Sequence, residues 1–143
     1  MNDIFNDIEE ERERQDKKFG EQNWPDLDPV LVETRRGPSR HADDLEIPTA
    51  IRAKQLVGFA AARKELCWGK ILVEEVAEAV EAAANKTNLR EELIQVAAVA
   101  VAWIEAIERR CKHKFVRDGE VAGPGGGTEE VYRCTKCGKE ECR

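Results

Sequence analysis

The chain has 143 residues, enough for one compact domain and a small appendage. Hydrophobic residues make up 41% and charged residues 36%, and the net charge of −6 argues against a nucleic-acid partner, whose surface calls for a basic patch. The acidic start MNDIFNDIEEERER lacks the cationic and apolar segments of a secretory signal, and the longest nearly apolar run, 96–104, falls far short of the roughly 18 residues that span a bilayer; a cytoplasmic protein with no membrane partner is expected.

Residues 2–18 contain neither Gly nor Pro and carry Ile4, Phe5 and Ile8 among dense charges, which predicts a first helix. From about 20 to 48 the chain holds Gly20, Pro25, Pro29, Gly37, Pro38 and Pro48 and reads as a long loop, of the kind that is functional or partly disordered in a small domain. Thr49 is a suitable N-cap for a second helix through Glu65, with Ala53, Leu56, Val57 and Ala60 at helical spacing. Gly69 separates Trp68 from a third helix over about 70–84. Asn88 followed by Glu91 is a helix-start signature and opens a fourth helix from 89 to about 110. Nothing before residue 111 alternates with a period of two. The expected fold class is therefore all-α: a four-helix bundle over 1–110, followed by a separate small module over 111–143.

That module is read from its cysteines. Of the five in the chain, four lie in the last 33 residues, a clustering that points to metal before disulfides in a reducing compartment. Cys134 and Cys137 form a C-x-x-C knuckle, and Cys111 with His113 offers the partner half at the spacing of a zinc ribbon. Four protein ligands would close the site and make Zn2+ structural; Cys142 is an alternative to His113 as the fourth. HKFVR (113–117) and EEVYR (129–133) can pair as a hairpin around the GPGGG loop. Cys67 stands apart and is expected in the core.

The third and fourth helices carry the carboxylates. On a helical wheel Leu72, Val73, Val76, Ala77 and Val80 share one side, while Glu75 and Glu78 fall on another with Ile71, Ala79 and Ala82. Glu75 and Glu78 are three apart and hence neighbours, as are Glu92 and Gln95. One reading is a solvated face. The other is a cation site, because neighbouring carboxylates repel unless a proton or cation sits between them, and because Glu92 shares a side with Val96, Val99 and Trp103 in ELIQVAAVAVAWI, whose nearly all-round apolar character predicts a helix buried on most sides. Facing helices that each offer oxygen ligands are a way to build such a site, and magnesium prefers oxygen.

EEVAE (74–78) followed by EELIQ (91–95) resembles the EExxE…ExxD pattern of the MazG-like nucleoside triphosphate pyrophosphohydrolases, the relatives of dimeric dUTPases and dCTP pyrophosphatases. The stretches ERERQDKKFGEQNWPD and CWGKILVEEVAEA are similar to a bacterial and bacteriophage subgroup, and the likeness covers about residues 5–110. The resemblance implies Mg2+ held by Glu75, Glu78 and Glu92, with Glu74 as a nearby carboxylate that orients water or a second ion. Gln95 departs from the pattern's Asp and supplies an amide oxygen without charge. The implied reaction cleaves a nucleoside triphosphate to the monophosphate and pyrophosphate. Arg14, Lys18 and Lys70 adjoin these stretches as candidates to meet phosphates; Trp24 and Trp68 are candidates to stack on a base or simply to pack, and Trp103 is expected in the core. A homo-oligomer, dimer or tetramer, is expected, because one nearly all-apolar helix leaves surface to cover and the family is generally oligomeric. The competing reading is a non-catalytic nucleotide-binding adaptor, which the neutral Gln95 favours.

Overall fold

The computed structural model describes residues 2–143. Six helices run in order: α1 (Asn2–Phe19), α2 (Pro29–Glu33), α3 (Pro38–Asp44), α4 (Ala50–Ala62), α5 (Trp68–Asn85) and α6 (Leu89–Arg110). Three strands follow, β1 (Phe115–Ala122), β2 (Thr128–Cys134) and β3 (Glu140–Cys142). The expected all-α class with four helices is thus corrected on two counts. The C-terminal region is an antiparallel sheet in the order β1-β2-β3, and the segment read as one long loop contains α2 and α3.

The prolines explain the second correction. Pro29 and Pro38 sit in the first turns of α2 and α3, where a helix has no internal partner for its N–H groups and the fixed proline φ suits the helix. Asp28 completes the start of α2, its carboxylate accepting from the Val30 N–H at 2.8 Å. Residues that break helices from within here begin them. Gly69 behaves in the same way: it lies in the first turn of α5, which starts at Trp68, and does not interrupt the chain before it.

Thr49 caps α4 as expected, its hydroxyl accepting from the Arg52 N–H at 3.2 Å. The helix stops at Ala62, short of Glu65, because Lys64 takes a left-handed conformation with φ 59°. The Glu65 N–H then reaches back to the Ala60 carbonyl at 2.8 Å. Arg35, Glu46 and Lys86 repeat this arrangement after α2, α3 and α5, with φ between 52° and 56°, and the next N–H in each case donates to the carbonyl five residues earlier. Four helices in succession therefore end in a Schellman motif built on a charged residue where glycine is usual.

The chain divides into two compact units, Gln22–Trp103 and the residues up to Glu21 together with Ile104–Arg143. In Gln22–Trp103, α3 and α4 pack on α5. The buried side chains are small: Ala42 on α3, Ala50, Ala53 and Ala60 on α4, and Ala77, Ala79 and Ala82 on α5, with His41 beside them. Alanine allows close helix approach but removes little apolar area from water. The larger apolar residues remain uncovered, among them Ile51, 69% exposed, and Phe59, 57% exposed, on α4. The expectation that the fourth helix is buried on most sides is not met within the chain: α6 has no buried residue, and its Leu93 and Ile94 are about half exposed. Trp103 is half-buried, and Cys67, expected in the core, is exposed at the N-cap of α5.

In the other unit, β1 and β2 pair from Phe115↔Cys134 to Ala122↔Thr128, with Asp118 as an extra residue that bulges β1. The anticipated hairpin is present and extends further than its two quoted pentapeptides; the third strand, Val131↔Cys142 through Arg133↔Glu140, was not anticipated. No helix among the described residues is long and apolar enough to cross a membrane.

Candidate functional site

Two groups of potential metal ligands form, one in each unit. In the helical one, α5 presents Glu75 and Glu78 on one stripe, because residues three apart share a helical face, and α6 brings Glu92 to them after the turn at 86–88. One carboxylate oxygen from each of the three lies within 4.8 Å of the others, and all three residues are half-buried. Glu74 is half-buried alongside, while Gln95 is exposed on α6.

Each carboxylate in this group has a distinct environment. Glu75 has its pKa raised, first by burial and then by the negative charges of Glu78, Glu74 and Glu92. Glu78 accepts from the Lys54 ammonium, Nζ to Oε1 at 2.9 Å, and that contact leads the causes that raise the Lys54 pKa, with Glu74 and Glu81 adding to it. Glu92 accepts from the Asn88 side-chain amide at 2.6 Å. Asn88, read from the sequence as a capping residue paired with Glu91, thus turns its side chain to the carboxylate group. A cavity of about 240 Å³ opens beside these residues, with Glu78, Glu81, Asn85, Thr87, Asn88 and Glu92 among its lining. Three carboxylate oxygens this close together could hold a metal ion.

The sequence reading missed Lys54 and Asn85. Lys54 follows the buried Ala53 on α4, a position adjoining the α4–α5 packing, and that adjacency was its one available signal.

The other sequence-predicted residues of Gln22–Trp103 are separately placed. Trp24 is 79% exposed, which removes packing as its role within the chain. Trp68 is half-buried in the first turn of α5. Lys70 is exposed and donates to the Glu65 carbonyl at 3.3 Å. Arg14 and Lys18 belong to α1 and have partners there: Arg14 pairs with Glu11 at 2.6 Å, and Lys18 lies 5.0 Å from the Phe19 ring centre.

In the sheet-bearing unit, Cys111, His113, Cys134 and Cys137 bring one ligand atom each within 4.8 Å of the rest. The Sγ atoms of Cys111 and Cys134 are 3.8 Å apart, and Cys137 Sγ lies 3.4 Å from His113 Nδ1. A tetrahedral zinc with sulfur at about 2.3 Å and nitrogen at about 2.0 Å separates its ligand atoms by about 3.8 Å (S···S) and about 3.5 Å (S···N), so the donors fit that metal. His113 is the fourth member of the group; Cys142 is exposed on β3 and is not part of it.

The knuckle explains the electrostatics. Burial opposes a thiolate at Cys134, but N–H groups of Lys136, Lys114 and Cys137 aimed at its sulfur, with His113, outweigh that and lower its pKa to about 5. Two of these bonds, from Lys136 and Lys114, are 3.4 Å long. Gly138, with φ 79°, closes the turn behind the knuckle, its N–H donating to the Cys134 carbonyl at 2.9 Å. Cys111 has its pKa pushed up to about 11, by burial first and then by the neighbouring sulfurs of Cys137 and Cys134. A thiolate beside a thiol that resists ionisation is the arrangement a cation would relieve. Outside the group the sheet is held by polar contacts, such as Arg133 Nε to Asp118 at 2.7 Å, and Arg143 lies over the Tyr132 ring at 4.7 Å. The chain matches no family model, no curated protein and no solved structure.

Proposed function

We propose that the chain is a Mg2+-dependent nucleotide pyrophosphohydrolase of the MazG-like kind, cytoplasmic and homo-oligomeric, with a structural Zn2+ in its C-terminal sheet. The observation that carries this reading is the convergence of Glu75, Glu78 and Glu92 at the spacing EExxE…ExxQ, with oxygens within 4.8 Å and a polar cavity beside them.

Glu75, Glu78 and Glu92 would hold the Mg2+, and Gln95 offers a neutral oxygen one turn beyond Glu92. The ion would supply charge neutralisation for the polyphosphate and a lowered pKa for a water. The residues do the rest. Glu74 is the carboxylate that orients the attacking water and takes its proton, as that oxygen bonds to the α-phosphorus and the bond to the bridging oxygen breaks. Pyrophosphate departs, leaving a nucleoside monophosphate. Asn88 holds Glu92 in orientation, since its amide donates to Oε1. Lys70 meets phosphate oxygens, and the exposed ring of Trp24 and the half-buried ring of Trp68 are available to stack on a base. Self-association is supported by the uncovered Ile51 and Phe59 of α4 and Leu93 and Ile94 of α6. Zinc is supported by the donor chemistry and spacing of the Cys/His group.

The test is pyrophosphate release from a panel of nucleotides with and without Mg2+, with Glu75→Gln as the control. Release that depends on Mg2+ and disappears in the variant is expected. Gln95, uncharged and exposed, favours the competing adaptor reading, which the same assay isolates: nucleotide binding without release from any member of the panel would replace the enzyme by the adaptor.

A further inference from the structure

The carboxylate group already has a cation on it, and that cation belongs to the chain. Lys54 reaches from α4 to place its Nζ 2.9 Å from Glu78 Oε1. Glu78 is one of the three carboxylates whose oxygens lie within 4.8 Å of one another, and it also lines the polar cavity. No carboxylate on α4 competes for the ammonium, because Ala50–Ala62 contains no Asp or Glu. The Lys54 side chain is 68% exposed while that of Glu78 is 25% exposed. The acid is thus held by its surroundings and the base is free to swing. A lysine head is a compact, strongly hydrated charge on a flexible stem, so leaving the carboxylate exchanges one solvated position for another.

We propose that Lys54 is a tethered counter-cation of the carboxylate site: a divalent ion displaces it from Glu78, and the released ammonium then meets the anionic oxygens of a polyphosphate held at that ion. The proposal rests on the reading of Glu75, Glu78 and Glu92 as metal ligands. It makes Lys54 a positioning residue with two opposed effects. Without ligand it competes with the metal; with metal in place it adds positive charge where phosphates arrive. The same side chain then discourages metal alone and favours metal together with polyphosphate.

The experiment compares the full-length chain with Lys54→Met, which keeps the apolar stem, and Lys54→Arg, which keeps the charge. Mn2+ binding is followed by electron paramagnetic resonance without nucleotide, and pyrophosphate binding to the Mn2+-loaded protein by calorimetry. In Lys54→Met, Mn2+ should bind about two- to fivefold more tightly, the range expected for loss of one partly exposed ion pair, and pyrophosphate should bind several-fold more weakly. Lys54→Arg should retain the wild-type behaviour in both. Unchanged or weaker Mn2+ binding by Lys54→Met with wild-type circular dichroism would overturn the counter-cation role while leaving the metal site standing, and unchanged pyrophosphate affinity would overturn the phosphate role. Absence of Mn2+ binding in the wild-type chain and both variants would remove the carboxylate site, and this proposal with it.

Discussion

Glu75 is where the cost of the carboxylate group is concentrated. Its pKa is raised by burial and by three neighbouring glutamates, so the folded chain holds this proton to higher pH than the unfolded chain. The stability associated with that proton is fully present below the ordinary glutamate pKa and is lost as pH rises through the raised, folded-state value. Above that raised value and without metal, ionised Glu75 therefore opposes folding. Glu75→Gln should melt at a higher temperature than the wild type in chelator, and the upward shift produced by Mg2+ should shrink or vanish. Thermal melts with and without Mg2+ check both halves; a variant that melts lower in chelator and keeps its Mg2+ response would refute the assignment. His113 makes a complementary point in the other group. Its ring nitrogen lies against Cys137, while Cys142, the alternative fourth ligand, is carried on β3 outside the group.

At the scale of elements, the helix ends are informative. Lys64 adopts φ 59° at a position where the chain must turn left-handed, a conformation that costs a side-chain-bearing residue about 1 kcal/mol or more and glycine almost nothing. The Lys64 side chain is exposed. Lys64→Gly should therefore stabilise the protein by about 0.5–1 kcal/mol after the added freedom of the unfolded chain is subtracted, as read by urea denaturation. The sheet behaves differently. Among residues 111–143 Cys134 alone is fully buried, 1% exposed, so its interior is a sulfur rather than an apolar core. Elements this poor in buried area depend on a metal or cross-links, and metal affinity becomes folding free energy. Purified protein should contain one zinc per chain, and a chelator should abolish the dispersion of the 111–143 amide resonances while the helical circular dichroism persists. Protein purified without chelator and found free of zinc would refute the site.

For the whole molecule, the mismatch between apolar content and burial is the dominant fact. The fully buried side chains of Gln22–Trp103 are alanines and one histidine, whereas Ile51, Phe59, Leu93 and Ile94 lie open. Ile51 and Phe59 are eight residues apart on α4 and so share a stripe, with Leu56 near it. Large uncovered apolar residues mark association sites, and in the proposed homo-oligomer a second copy of this chain would supply the same residues in return. Light scattering should give a mass of at least two chains. Phe59→Glu should shift the distribution toward the monomer and lower the melting temperature in a concentration-dependent way; a wild-type monomer at micromolar concentration would rule out the oligomer.

The sequence by itself determined those features that depend on neighbours along the chain. Spacing of three placed Glu75 beside Glu78, because a helix turns about 100° per residue, and C-x-x-C placed Cys137 beside Cys134 for a similarly local reason. Thr49 was legible as a cap because capping involves a few adjacent residues. Pro29 and Pro38 were not, since the same residue ends a helix or begins one according to where its missing N–H falls. The end of α4 was also obscured, because Lys64 occupies the left-handed position where glycine would have announced the turn. What only the tertiary structure decided was how separate elements meet: that Lys54 of α4 reaches Glu78, that Asn88 turns to Glu92 instead of closing a cap, and that His113 and not Cys142 completes the sulfur group. The periodicity of α6 likewise announced an apolar helix but not its surroundings, because hydrophobic pattern records what must be covered, and the covering surface need not belong to the same chain.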